Sequence, residues 1–275
     1  MWQLIFGVAL SVIIAWAGYR GRSLSRSGVM GAVIIGTLTF GLGGWTWGVL
    51  LVAFFVSSSL LSHYRRADKR GVAEKFAKTG QRDLGQALAN GGWGAILAIT
   101  YSCRPHPALF AAFVGAMAAV NADTWATELG VLSSTPPRLL TTGQRVPIGT
   151  SGGVTALGTI AALGGGFLIG LVALALGQVE AIWGGRPPDG GHLWLVPIGI
   201  LGGFAGSTFD SLLGAMVQGI YYCPQCQKET EAKVHRCGQP TQHLRGWRWL
   251  NNDVVNFASS IVGSLIAGLF GRLVF

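Results

Sequence analysis

Apolar runs dominate this chain. Eight stretches, Trp2–Tyr19, Gly28–Gly43, Trp45–Leu61, Gln86–Tyr101, Pro107–Val120, Gly153–Leu176, Leu193–Val217 and Val254–Leu273, are nearly free of charge. In lipid the backbone N–H and C=O groups find no water, so a chain built this way must satisfy them inside helices. A full crossing takes about 20 residues; several runs are shorter, which leaves room for one re-entrant pair. The charged fraction is 11%, against about 25% in soluble domains, and the 43 glycines suit close helix packing in lipid. The expected fold is all-α, a polytopic membrane helical bundle of about eight transmembrane helices forming one domain over 1–275. The first run lacks a basic leader and a small-residue cleavage site, so it reads as a retained helix and not a signal peptide.

Basic residues sort the loops. With the N-terminus outside, the inside segments 20–27, 62–85, 121–152 and 218–253 hold 17 of the 20 Lys/Arg. Only Arg104, Arg186 and Arg272 fall outside. This is the positive-inside pattern, and it places both termini outside. The net charge of +9 is then a topology signal and a contact with anionic lipid headgroups; it requires no nucleic acid.

Two inside segments carry more than charge. Residues 63–78 are basic with apolar residues at helical spacing, the pattern of a helix lying on the membrane surface. They lead into 80–92, where Arg82, Asp83 and Asn90 form either a functional mouth or an ordinary polar turn. Three of the four cysteines lie in an insert at about 221–245: Cys223-Pro-Gln-Cys226, then His235-Arg-Cys237, then His243. Tetrahedral zinc takes four such ligands, so Cys223, Cys226 and Cys237 with His235 or His243 would close a structural Zn²⁺ site. A redox CxxC pair and plain thiols stay open as alternatives.

The chain has eleven Asp/Glu, and Asp123, Glu128, Asp210 and Asp253 sit at expected inner helix ends. A carboxylate at membrane depth costs about 2.5–3.5 kcal/mol, so it needs a partner, an ion or water. In Asn121-Ala-Asp-Thr-Trp-Ala-Thr-Glu-Leu-Gly130, continued helix puts Asn121, Thr124 and Glu128 on one face and Asp123 on the adjacent one. These oxygens suit a hard divalent cation such as Mg²⁺, with Asp123, Glu128 and Asp210 as ligands. Asn252 and Asn256, opening the last span, are supporting polar groups. Pro147-Ile-Gly-Thr-Ser-Gly-Gly-Val-Thr155 reads as the start of the sixth span. There Thr150, Ser151, Gly152 and Gly153 would offer free N–H groups to a phosphate or nucleotide. Arg82, Arg145 and Ser211 are further phosphate or nucleotide contacts, and Arg138, Arg245 and Arg248 add positive charge on the same side. Carboxylates for Mg²⁺, amides and arginines for phosphates, and an apolar cradle are what phosphoryl transfer to a lipid needs.

The blocks NADTWATELG, GTSGGVT, GSTFDSLLGA and NNDVVN, with YCPQC and HRCG, resemble an integral-membrane family that includes the phytyl-phosphate kinase of the vitamin E pathway. The likeness runs from about residue 28 to 275. It implies a kinase that converts an isoprenyl monophosphate, such as phytyl phosphate, to the diphosphate. The donor would be a nucleoside triphosphate, CTP favoured, with Mg²⁺, in a plasma or thylakoid membrane with the active face cytoplasmic. A weaker likeness joins membrane polyprenol kinases and CTP:phosphatidate cytidylyltransferases, whose Gly and Asp are replaced here by Ala122 and Ser207. The alternatives are therefore a polyprenol kinase or cytidylyltransferase and, from another class, an ion-coupled secondary transporter.

Overall fold

A computed structural model describes residues 2–69, 71–72, 74–78, 80–185 and 190–275. Arg186, and Arg70 and Ala73 of the basic segment, lie outside the described residues. The chain forms a polytopic helical bundle, with eight α helices among the described residues: α1 Trp2–Arg20, α2 Arg26–Leu38, α3 Trp45–His63, α4 Leu84–Cys103, α5 Pro107–Gly130, α6 Ala156–Trp183, α7 Leu195–Met216 and α8 Asn252–Val274. A π turn, Thr39–Gly43, extends α2. Seven helices, α2 with its π turn counting as one, are long and apolar enough to cross a membrane. The helix left out is α4. Its 20 residues span the hydrocarbon thickness at 1.5 Å each, but Gln86 and Asn90 make its first half more polar.

Local chemistry sets most helix starts. Ser25 accepts from the Gly28 N–H at 3.1 Å and caps α2. Asp83 and Gln86 form a reciprocal capping box on α4. His106 caps α5 ahead of Pro107, and Asn251 caps α8. Two expectations change. The α5 helix runs on to Gly130, past the expected span end at Val120, as the continued-helix reading of Asn121 to Glu128 requires. The described residues of 64–78 form turns, not a surface helix; Lys69, Lys75 and Lys78 are spent on contacts with other segments.

The centre of the bundle is α5. Every residue from Ala111 to Ala122 is buried, the mark of a helix enclosed on all sides. Its neighbours reach it through glycine. A Cβ on Gly115 would lie 2.5 Å from the Gly263 O, one on Gly263 2.6 Å from the Gly202 O, and one on Gly202 2.8 Å from the Gly115 Cα. Thus α5, α7 and α8 touch backbone to backbone. Large apolar side chains such as Phe6, Ile13, Ile160 and Leu269 face outward, as a lipid-facing surface requires. Outside the bundle, β1 (Arg138–Leu139) pairs with β2 (Gly153–Val154). A three-stranded antiparallel sheet of β3 (Ile220–Cys223), β4 (Lys228–Thr230) and β5 (Gln242–Arg245) runs in the order β4-β3-β5.

Gly115→Val is expected to destabilise the detergent-solubilised protein by about 1–3 kcal/mol, the usual cost of overpacking. Gly164→Ala, whose new Cβ meets nothing closer than Trp125 at 3.6 Å, should be neutral or stabilising by about 0.5–1 kcal/mol. Thermal unfolding followed by circular dichroism compares the two.

Candidate functional site

The polar ends of α3, α4, α5, α7 and α8 gather on one face of the bundle. Here α5 presents two different sides. An α-helix turns about 100° per residue, so Asn121 and Glu128, seven apart, share a face, while Asp123 points roughly the opposite way from Asn121.

The Asn121 side is closed. The Asn121 Oδ1 accepts from Ser57 Oγ at 2.8 Å and Ser58 Oγ at 3.1 Å, and its Nδ2 donates to the Gly165 O at 2.9 Å. This fully buried amide ties α3, α5 and α6 together. The two oxygens of Glu128 are also occupied, Oε1 by Ser62 Oγ at 2.7 Å and Oε2 by Lys69 Nζ at 2.6 Å. Glu128 therefore carries its own countercharge, and the structure divides it from Asp123 and Asp210. The serines Ser57, Ser58, Ser59 and Ser62 went unread in the sequence, although a serine run inside an apolar span is a signal of interhelical hydrogen bonding.

The Asp123 side is open. Asp123 on α5 and Asp210 on α7 lie within electrostatic reach of one another and of Glu231 from the sheet insert. Among the described residues none of the three is in an ion pair. Ser259 Oγ of α8 lies 3.2 Å from Asp210 Oδ2 and 2.8 Å from the Val255 O. One turn earlier on the same face, the Asn256 Oδ1 is buried without a partner. Three carboxylates from α5, α7 and the insert thus lie within electrostatic reach of one another, and α8 adds an unpartnered amide oxygen. Like charges held together in a half-buried place repel unless a cation joins them, and hard oxygens are the donors Mg²⁺ takes. The donor types suit that ion, though they do not form a cluster as tight as the Cys/His group of the insert. Asn252 is half-buried in the first turn of α8. Beside it Asp253 is bridged by Lys78 Nζ, at 2.5 Å, to Asp83, at 2.9 Å.

The Gly-rich segment is not a helix start. The α6 helix begins at Ala156 behind a Thr155 cap, while Thr150 to Gly153 run through a turn into β2. Gly149 and Gly152 take positive φ, 78° and 81°, a backbone that favours glycine. The Gly153 N–H is already given to the Thr150 O at 3.0 Å, and Thr150 Oγ1 to the Pro147 O at 2.8 Å. A Cβ on Gly152 would sit 2.4 Å from the Ala215 N, so the turn lies against the end of α7. Ser151 Oγ donates to Gln218 Oε1 at 2.7 Å, and Gln218 Nε2 donates to Glu231 Oε1 at 2.9 Å. Through this relay the turn holds Glu231 towards the acidic site. Arg145 is exposed and Ser211 half-buried. Arg245 caps the end of α7 through the Gly214 and Ala215 carbonyls.

In the insert, Cys223, Cys226, His235 and Cys237 bring one ligand atom each within 4.8 Å of one another. The Cys223 and Cys237 sulfurs are 3.7 Å apart, and His235 Nδ1 is 3.2 Å from Cys237 Sγ. The His235 Nε2 is buried and unpartnered. His243 is turned away: its Nε2 lies 2.9 Å from the Gly246 O and its ring packs edge-on against Tyr221. Three thiols and one imidazole are a donor set that structural zinc takes.

A family model described as integral membrane protein DUF92 matches residues 9–264. The chain belongs to this family. It is 33% identical over 287 residues to Protein PGR of Arabidopsis thaliana, covering 99% of this chain and 98% of that protein. It is 31% identical to the uncharacterized membrane protein MJ0933 of Methanocaldococcus jannaschii, over 97% of this chain and 94% of that one. It is 28% identical to Protein VTE6, chloroplastic, of Arabidopsis thaliana, over 99% of this chain and 73% of that protein. No solved structure matches.

Burial, with the Asp253 charge nearby, raises the Glu231 carboxyl from its ordinary 4.5 to about 7, against the opposing hydrogen bonds from Ala77 and Gln218. A carboxyl with a raised native pKa keeps its proton preferentially when folded. Its effect is absent below 4.5, and stability falls as pH rises from there through about 7. Glu231→Gln should flatten that fall. Unfolding temperatures across this window, taken without divalent cations, test it; parallel wild-type and variant curves would refute it.

Proposed function

We propose that this protein is a lipid phosphotransferase, a kinase that converts phytyl or another isoprenyl monophosphate to its diphosphate with CTP or another nucleoside triphosphate. The observation that supports this reading is that Asp123, Asp210 and Glu231, within electrostatic reach of one another, form no ion pair among the described residues at the polar face of a lipid-embedded bundle. Substrate and donor come from the resemblance of the NADTWATELG, GTSGGVT, GSTFDSLLGA and NNDVVN blocks to the family that includes phytyl-phosphate kinase.

In the reaction a phosphate oxygen of the lipid attacks the γ-phosphorus of the nucleotide. A new P–O bond forms, the bond from the γ-phosphorus to the β,γ-bridging oxygen breaks, and the nucleoside diphosphate leaves with that oxygen. The attacking oxygen is already ionised near neutral pH, so no side chain has to abstract a proton. Positioning and charge neutralisation do the rest. Asp123 and Asp210, with Glu231 and Asn256, would hold Mg²⁺, which when bound neutralises the triphosphate. Asn121 and Glu128 fix α5 so that Asp123 faces α7. The turn at Thr150–Gly153 and Ser211 border the nucleotide, Asn252 supports the α8 end, Arg82 meets the lipid phosphate, and the exposed Arg145 draws in anions. The active face is the cytoplasmic one, where the basic loops and the nucleotide are.

The Cys₃His group holds a structural zinc in this reading, since four protein ligands leave no open position for chemistry. Purified protein should contain about one zinc per chain, and Cys226→Ser should lower that content together with stability. Protein prepared without chelator that lacks zinc would reject the site.

Asp123→Asn preserves shape and removes a charge. We expect phosphoryl transfer to fall by about 100-fold or more while membrane insertion and unfolding temperature stay close to wild type. CTP carrying a γ-label distinguishes the reactions: label on the lipid means a kinase, and cytidine on the lipid means a cytidylyltransferase. A folded Asp123→Asn protein with the wild-type rate would remove the central assignment.

A further inference from the structure

Helices α1 to α4, on the opposite side of α3 from the core of the bundle, enclose a cavity with about 640 Å³ of empty space, counting the part open to the surroundings. Its wall is apolar, with Ile14 from α1, Ala32 and Ile35 from α2, Phe40 from the π turn, Leu51 from α3 and Ala87 from α4. One charged residue, Arg82, lines it.

Arg82 is held firmly. Its N–H donates to the Ser23 O at 2.9 Å and its carbonyl accepts from the Ser25 N–H at 3.0 Å, which stitches it to the loop between α1 and α2. Gly28 permits that approach, because a Cβ there would collide with the Arg82 carbonyl. The guanidinium lies 5.6 Å from the centres of both the Phe54 and Phe55 rings, and its Nη1 donates to Ser59 Oγ at 2.9 Å. No carboxylate among the described residues lies within ion-pair distance of it. One N–H goes to Ser59, and a guanidinium has five. Burial lowers its pKa to about 10, against the opposing charge of Glu128, so the charge persists at neutral pH. The Glu128 charge acts on the guanidinium from beyond ion-pair distance, so its N–H groups are not taken up by a carboxylate, and planar N–H pairs of this kind match phosphate oxygens.

We propose that this cavity binds the apolar chain of a lipid monophosphate whose headgroup pairs with Arg82. Binding stands on the cavity and its lone cation; identifying the bound lipid as the phosphoryl acceptor rests on the function proposed above. Two features favour an amphiphile over a free anion. The cation borders an apolar chamber, and the walls of that chamber, drawn from four helices, suit a hydrocarbon chain.

The test uses the full-length protein in detergent and a long-chain alkyl monophosphate carrying a diazirine in mid-chain. Irradiation followed by peptide mass spectrometry should place the label on the cavity wall, at residues such as Ile14, Ile35 and Leu51. Unlabelled alkyl phosphate should compete, whereas inorganic phosphate, the alcohol of equal chain length and phosphatidylcholine should not. Arg82→Gln should weaken labelling about tenfold or more, as loss of a buried charge partner does. Should that variant fold poorly, Ala32→Trp fills the chamber from its wall and should abolish labelling with Arg82 intact.

Label scattered over the outer faces of α6 to α8, equal competition by phosphatidylcholine, or full labelling of a folded Ala32→Trp protein would overturn the proposal. The two readings fail separately. Cavity labelling without γ-phosphoryl transfer leaves the binding site and removes the kinase, whereas wild-type turnover in Ala32→Trp leaves the kinase and removes the cavity.

Discussion

Everything at the polar face depends on the enclosure of α5. A helix whose residues from Ala111 to Ala122 are all buried has no direction free for a loose polar side chain. Each polar group it carries past that stretch must meet a partner from another helix or from a bound species. Contact through Gly115, Gly202 and Gly263 brings α7 and α8 close enough to supply such partners, and the serines of α3 supply them on the other side. The small-residue packing and the polar chemistry are therefore one design: remove the close approach and Asn121, Asp123 and Glu128 all lose what faces them.

The two sides of α5 answer the same demand differently. Towards α3, neutral hydroxyls satisfy Asn121, and Lys69 neutralises Glu128. That side is complete, and its work is to fix the rotation of the helix. Towards α7 and α8, Asp123 and Asp210 lie within electrostatic reach of one another, and Glu231 adds a third carboxyl group. A bundle with twenty basic residues has cations to spare, and it spends Lys69, Lys78 and Lys228 on other carboxylates. That these three form no ion pair among the described residues, while their neighbours do, is the physical ground for the proposal that they take an incoming cation.

Much of this was legible in the sequence. The spans follow from apolar runs, and Asp123 and Asp210 stand out as lone carboxylates beside or within them. The Cys₃His group follows from spacing, but the choice between His235 and His243 needed the hairpin geometry that turns His243 towards Gly246. Three readings went astray for identifiable reasons. Polar residues after Val120 resemble a loop because sequence does not show that Ser57 and Ser58 will satisfy Asn121. Glycines and hydroxyls at Thr150–Gly153 resemble a helix N-terminus, yet two positive-φ glycines make a turn and Thr155 provides the cap. Grouping Glu128 with Asp123 treated adjacent helical faces as one site, when five residues of α-helix rotate them well apart. Glu231 escaped notice because nothing local marks it; its importance comes from a sheet that folds back over α7.

That sheet explains why a membrane bundle carries a cysteine-rich insert. Strands β3 to β5 hold three or four residues each, far too little apolar area to stay folded alone, and chains of this size need a staple. The four-ligand group joins the turn after β3 to the turn at His235, and Glu231 lies on the stretch between Cys226 and His235. Gln218 and the backbone of Lys75 hold it from either side. A staple at this position fixes the two ends of the segment that carries the third carboxylate. On the proposed reading, metal binding in the insert and cation binding at the acidic site would be mechanically linked through about ten residues of chain, although no ligand would be shared. A metal with no open coordination position can still govern the chemistry next to it, by deciding where one carboxylate stands.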